Sequence, residues 1–424
     1  MKRRLVLAIF LLLLFWAPAN QFAQPVATDQ LIQFYRSRVA RDPDDPFNYN
    51  RLGAAYIQKA RESGDITYYN LAETALKKSL ELVPDIAAAA SATTSLAAVY
   101  LAKHEFKAAL TYAQKAVETG SRDLYPYALI GDASIELGQY DKAAEAYSKM
   151  LGLSGPLHPH SRLSYLHFLK GDPAGALEYM RRAVRASIEG NAPAENIAWS
   201  QVQLGDLFFH AGDVTKAEQS YRDALATYPR YHRGLAGLAR AQSAHKKYRE
   251  AIELYHGAIG VIPLPEYVAA LGDVYAKTGR ADDAKKQYDL VEYIGRLNTL
   301  NKALYNRELA LFYADHDMKP IAAHELAQKE LEVRGDIYTY DVLAWALYKN
   351  GKAREALGAM TEALKLGTKD ARLFFHAGMI HHSLGEMEKA KEYLSRALST
   401  NPHFHLLQAD VAARTLKQLD SGRP

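Results

Sequence analysis

A period of 34 residues governs this chain. Residues 198 to 231, AWSQVQLGDLFFHAGDVTKAEQSYRDALATYPRY, are one unit, and the same sequence of side-chain sizes returns along most of the length. Counted from Ala198, apolar or small residues fall at Leu204, Gly205 and Phe208, then at Ala217, Tyr221 and Ala224. Each group has the three-to-four spacing of one helix face. Gly212 separates the two groups, Asp213 suits the N-cap of the second helix, and Pro229 stops it. Two short helices cannot bury an apolar face alone, so such units must stack on one another.

Ten units follow this pattern, starting at about Pro46, Ala90, Leu124, Leu157, Ala198, His232, Pro265, Ala303, Ile337 and Ala371. Alanine at position 20 sets the register: Ala72, Ala109, Ala143, Ala176, Ala217, Ala251, Ala284, Ala322, Ala356 and Ala390. Position 8 tests it, and every residue there is small: Gly53, Ala97, Gly131, Ser164, Gly205, Ala239, Gly272, Ala310, Ala344 and Gly378. Small side chains at both positions let the two helices of a unit touch, and a larger one costs about 1–3 kcal/mol in overpacking. Aromatic residues at positions 11 and 24, such as Tyr56, Tyr147, Tyr221 and Tyr288, fill the space between neighbours, which accounts for much of the content of 28 tyrosines.

The pattern resembles the tetratricopeptide repeat, with apolar residues at 4, 7, 11 and 24 and small ones at 8, 20 and 27. The resemblance implies an all-α fold, a right-handed solenoid of about ten antiparallel helix pairs. A lone helix at 28–43 precedes them and a capping helix within 405–424 follows, covering the exposed ends of the stack. The first unit carries about seven extra residues around 61–65, between its helices. An extension at 189–196 is the candidate hinge, which divides the array into units one to four (46–188) and five to ten (198–404), with 189–197 as the loop between them.

The opening MKRRLVLAIFLLLLFWAPANQ has a basic start, an apolar stretch from Leu5 to Ala17 and a small-x-small step at Ala17-Pro18-Ala19. Those are the parts of a secretory signal peptide, cut after Ala19. An uncleaved anchor over 5–17 is the alternative, although so short a stretch hardly crosses about 30 Å of hydrocarbon. The expected location is therefore periplasmic or extracellular. The lack of an Asn-x-Ser/Thr sequon fits a bacterial source. Residues 20–45 would be a linker and the lone helix. Lys2, Arg3 and Arg4 account for three units of a net charge of +4, so the remainder is near neutral and carries no electrostatic footprint for nucleic acid. With no cysteine, disulfides, thiolate nucleophiles and Cys-ligated zinc are excluded.

No catalytic residues are expected, because no nucleophile elbow, phosphate loop or dinucleotide fingerprint is present. No cofactor is implied. The resemblance instead implies a non-catalytic scaffold or adaptor that holds a protein, as a peptide or helix, against the concave helix-A positions 2, 5, 9, 12 and 13. A known subgroup grips carboxylate tails with Lys at 5 and Asn at 9, then Lys at 2 and Arg at 6; this sequence lacks that set. Repeats nine and ten carry large residues at groove positions: Tyr338, Asp341, Trp345 and Tyr348, then Arg372, Phe375, Met379 and His382. They form the candidate partner site, unless the superhelix curls over them. Arg233 and Arg240 stand between Asp132, Asp206 and Asp273 in the middle of the array, as solvated charge or a polar peptide track.

Residues 312–325, FYADHDMKPIAAHE, suggest a metal centre made of Asp315, His316, Asp317 and His324. This supports the second reading, a metal-binding or metal-delivery protein, although no defined ligand spacing is matched. The period favours a turn instead, with Asp317 at position 15 capping helix B of repeat eight and Pro320 in its first turn. His167 and His381 fall at position 11 and are expected to pack as rings do elsewhere. The pairs His158/His160 and His403/His405 are expected to be surface loops.

Overall fold

The computed structural model describes residues 28–83, 86–119, 123–152, 158–300 and 306–421, so the signal-like segment lies outside the described residues. The described residues form 22 α-helices and no strand. Twenty of the helices make ten successive pairs, from Pro46–Ser63 with Thr67–Leu82 to Ala371–Ser383 with Met387–Thr400. Thr28–Arg41 precedes them and Gln408–Asp420 closes the stack. The extra residues of repeat one lengthen its first helix to Ser63 rather than forming a long loop. Between Glu189 and Ala194 the connection is a short turn, since Ala194–His210 starts within the stretch read as a hinge.

The small residues do what close packing requires. Ser164, at position 8, is fully buried and its hydroxyl donates to the carbonyl of Ala176, at position 20, over 2.7 Å. Where position 8 is glycine, the space belongs to the side chain at position 24, a leucine in repeats one and ten and a tyrosine in repeats three, five and seven. A Cβ on Gly131 would stand 2.1 Å from Tyr147, one on Gly205 2.6 Å from Tyr221, and one on Gly272 2.4 Å from Tyr288. Repeat eight departs from the period. Ala323, not Ala322, is the alanine with no exposure there, because the turn from Asp315 to Pro320 holds one more residue than its counterparts.

That extra residue corrects the reading of Asp317. Position 15 takes a left-handed backbone throughout the array: His104 has φ 60°, Gly138 71°, Gly212 78°, Lys246 61° and Asp317 53°. A residue in that conformation ends helix A, whereas the cap of helix B comes one position later, where Asp213 accepts from the Lys216 amide. In repeat eight the N-cap position is Lys319, at φ 44°, with no side-chain cap. Asp317 instead pairs with Lys349 in repeat nine.

The stack coils far enough to meet itself. The turn inside repeat three meets the exit of repeat eight, where the Gly335 amide donates to the Glu136 carbonyl over 2.8 Å and the Ile337 amide to the Tyr140 hydroxyl over 2.9 Å. One repeat further, the Thr368 hydroxyl donates to the Leu169 carbonyl. Another repeat on, Asn401 Nδ2 donates to the Phe209 carbonyl over 2.7 Å. The turns of repeats three, four and five thus each meet the exit of the repeat five places later, and Gly64 of repeat one stands in the same relation to Ile262. A Cβ at Gly138 would lie 2.4 Å from the Gly335 carbonyl oxygen and one at Gly171 2.2 Å from that of Gly367. At these two sites glycine serves both the left-handed backbone and the close approach.

Candidate functional site

The interior of the coil is lined by the first helices of the repeats, and its polar groups follow a rule that the period carries. Repeats three, five and seven each have Gly-Asp at positions 8 and 9 and Tyr at position 24. Tyr147 donates to Asp132 over 2.9 Å, Tyr221 to Asp206 over 2.7 Å, and Tyr288 to Asp273 over 2.9 Å. Burial, chiefly, pushes these phenols above their ordinary range and keeps them protonated as donors. Each aspartate also receives a group from the next repeat. Arg162 reaches Asp132 through two nitrogens at 2.8 and 2.7 Å, Arg240 reaches Asp206, and His316 Nε2 lies 2.7 Å from Asp273. For His316, burial opposes the charged form, but Asp273 and the Phe312 carbonyl outweigh it and raise the imidazole above its usual value. The aspartates expected as solvated charge are therefore joints between neighbouring repeats.

The candidate partner residues of repeats nine and ten are the interior of this half. Trp345 is 2% exposed and Phe375 1% exposed. Trp345 lies stacked between Tyr348 and His376, with ring centroids 4.8 and 4.1 Å away. Asp341 is fully buried, 2.7 Å from His376 Nδ1 and 3.6 Å from Arg372 Nε. Tyr338 is half-buried and donates to Asp370, while Met379 is half-buried in the same core. His382 is half-buried beside them on the helix. Their cover is the segment from Pro402 to Leu407: Phe404 meets Phe375 at 5.4 Å between ring centroids, and His405 Nε2 lies 3.6 Å from Asp273. The coil and the returning segment thus bury the two largest rings expected to meet a partner.

The suggested metal ligands also face different ways. Asp315 accepts from Trp345 Nε1 over 2.8 Å and from Gln408 Nε2 over 2.6 Å, which ties the turn of repeat eight to repeat nine and the closing helix. His316 is held by Asp273, Asp317 by Lys349, and His324 lies near Lys352 and Glu355. Among the described residues no group of three His, Asp or Glu is arranged to hold a metal ion. His381 is buried as expected, with Nδ1 2.8 Å from Glu386, and His167 makes the equivalent contact with Asp172 at 2.8 Å while remaining half-exposed.

Two of the spaces inside the coil bear on binding. One, of about 430 Å³, lies among repeats five to eight beneath Phe404 and His405, with Arg233 and Arg240 on its wall. Of these two, Arg240 is committed to Asp206 and Tyr221, whereas Arg233 is exposed. The other, of about 530 Å³, opens among repeats three to five and is lined by Tyr165, Phe168, Met180, Trp199 and Leu207. Tyr165 is 42% exposed although it sits at position 9, on the concave face. Trp199, at position 2 of repeat five, is half-buried. The sequence signal for both, a large ring at a groove position, is the one that drew attention to Trp345.

Tetratricopeptide-repeat models match residues 125–155, 157–230, 202–261 and 342–418, together half of the chain. With ten helix pairs stacked as described, the chain belongs to the tetratricopeptide-repeat family, whose members act as protein-interaction scaffolds and bind protein partners. It is 21% identical over 327 residues to TPR repeat-containing protein MJ1428 of Methanocaldococcus jannaschii, covering 72% of this chain and 55% of that one. It is 26% identical over 229 residues to the human protein O-mannosyl-transferase TMTC1, covering 50% of this chain and 24% of that protein. The chain thus spans about half the length of the first of these relatives and about a quarter of the second. Among solved structures, yeast Tom70 aligns over 93% of each chain with 14% identity and a TM-score of 0.42. The Cut9–Hcn1 complex aligns over 92% of this chain and 93% of that one with 13% identity and a TM-score of 0.34. Among the described residues, no helix is long and apolar enough to cross a membrane.

Proposed function

We propose that this chain is a non-catalytic scaffold that holds an extended segment of a partner protein inside its coil, at the cleft of repeats three to five. One observation carries the reading: Tyr165 stands exposed on the concave face over an apolar floor, while Trp345 at the same position of repeat nine is buried and Phe375 of repeat ten lies against the returning Phe404. An accessible aromatic ring at the centre of a concave surface is where binding energy concentrates. The signal-like opening supports an extracytoplasmic setting, with residues 5–17 as a membrane anchor if it is not cut.

A photoreactive amino acid placed at Tyr165, and separately at Lys285 on a second helix of repeat seven, tests the reading in cells. Partner adducts are expected from position 165 and not from position 285. Adducts from 285 alone would overturn it. Fractionation of the same cells, with N-terminal sequencing of the protein, checks export; a mature chain starting at Asn20 is expected.

A further inference from the structure

The cleft of repeats three to five has charged walls and yet no charge to offer. Arg61 pairs with Glu195 at 3.2 Å, Arg162 with Asp132, Asp206 with Arg240, and His210 Nδ1 lies 3.9 Å from Asp370. An ionic ligand would have to break one of these pairs or surrender its own hydration without repayment. What the cleft presents is aromatic and apolar surface at Tyr165, Trp199 and Leu207, over the buried floor of Phe168 and Met180. The amides of Asn196 and Gln203 line it as well, and each side-chain amide can both donate and accept towards a peptide backbone.

The molecule also shows what one stretch of its interior accepts. Pro402–Leu407, PHFHLL, crosses the first helices of repeats seven to ten outside any helix. The segment has no formal charge. His405 Nδ1 accepts from the amides of Leu407 and Gln408, at 3.2 and 3.3 Å, which assigns the proton to Nε2. Its anchor is one ring, Phe404, set against Phe375. Leu406 packs into the apolar cluster of repeats six and seven, and Asn401 ties the entry of the segment to the turn of repeat five.

We infer that the open cleft takes a partner segment of the same kind: non-helical, uncharged, and carrying one bulky aromatic residue that settles against Tyr165 and Trp199. This rests on the interior being the binding surface, as proposed above. The aromatic residue supplies apolar contact area and a preferred ring geometry. The uncharged flanks leave the Arg162–Asp132 and Arg61–Glu195 pairs intact, and the Asn196 and Gln203 amides are placed to meet the backbone.

Selection of a random peptide library on the complete chain tests the inference, with the Tyr165→Ala variant as counter-selection. Tyr165 is exposed, so its truncation leaves the fold intact, and a matching thermal melt checks this. Winning peptides are expected to carry an aromatic residue between uncharged neighbours. Binding should fall by about tenfold or more in Tyr165→Ala, and by a smaller factor in Trp199→Phe. Replacing the residues beside the aromatic with Asp or Lys should cost a similar factor. Winners rich in acidic or basic residues, cross-linking at position 165, would overturn the inferred chemistry and leave the interior as the binding surface. Winners that bind Tyr165→Ala equally well and cross-link elsewhere, or no winners at all, would overturn both.

Discussion

Repeats four and five and repeats nine and ten display the same kind of residue at the same kind of place, with opposite outcomes. Tyr165 and Trp345 both occupy position 9, yet the first is 42% exposed and the second 2%. The difference lies in what surrounds each ring. Trp345 is enclosed because Asp315 holds its indole nitrogen, His376 and Tyr348 lie on its faces, and the segment from Pro402 to Leu407 packs against the neighbouring Phe375. Among the described residues no such return lies over Tyr165. In a solenoid, then, a ring on the concave face is a binding residue or a core residue according to what the neighbouring repeats and the chain's return place around it.

The largest expected effect separates the two rings by stability. Trp345→Ala should destabilise the C-terminal repeats by about 3–5 kcal/mol, the usual cost of removing a large buried ring. Tyr165→Ala should cost about 0.5 kcal/mol or less, as a surface truncation does. Denaturant unfolding, with hydrogen exchange followed over repeats nine and ten, measures both. Equal effects would break the comparison, since the two rings would then be doing the same work.

The second effect tests whether the coil is held by the contacts between its turns. Gly171 and Gly351 have nearly the same backbone, at φ 71° and 75°, so alanine strains both alike. They differ in surroundings: a Cβ at 171 would stand 2.2 Å from the Gly367 carbonyl oxygen, whereas at 351 nothing lies within 4 Å. Gly351→Ala should therefore cost about 1 kcal/mol for the left-handed backbone alone. Gly171→Ala should cost about 1–3 kcal/mol more, with a larger radius by small-angle scattering as the turns part. Identical losses would show that the contact with the exit of repeat nine contributes nothing.

These contrasts mark how far the sequence could be read. The helix pairs were legible because each depends on a local steric rule, one small residue at position 8 and another at position 20. The Gly-Asp and Tyr signature of repeats three, five and seven was equally open to reading, since its members stand a constant interval apart, but the aspartates drew attention as charge rather than as acceptors for that tyrosine. The register of repeat eight was ambiguous at Ala322-Ala323, where two adjacent alanines hide an inserted residue in the turn. The meeting of the turns was not legible. It arises from small rotations accumulated over five repeats, and the glycines at 138 and 171 look no different from Gly279 or Gly351, which approach nothing. The burial of Trp345 and the openness of Tyr165 could not be told apart either, because both occupy position 9 and the period says nothing of the side chains that close over one of them.

The smallest expected effect concerns charge at the same seam and falls on one side of pH 7. Where repeat three meets the exit of repeat eight, Arg334 Nε lies 3.2 Å from Glu136 and 3.1 Å from Glu330, so two carboxylates compete for one guanidinium. Arg307 faces Asp336 beside them at 3.4 Å. Burial, reinforced by Asp336 against the pull of Arg334, pushes the Glu136 carboxyl up to about 7. An acid with a raised value holds its proton longer in the folded state, so its contribution is whole below its unfolded value of about 4.3 and is lost as pH rises through 7. The full shift would be worth roughly 3–4 kcal/mol. Solvent reaches 31% of this side chain, and screening reduces the effect to about 1–2 kcal/mol. Glu136→Gln keeps the shape and removes the titration. The variant should match the wild type near pH 4.5 and exceed its stability at pH 8, the gap opening between these values in parallel thermal melts. A gap that is constant with pH would mean that Glu136 titrates as it does in the unfolded chain, and that its charge contributes nothing to the seam beside the open cleft.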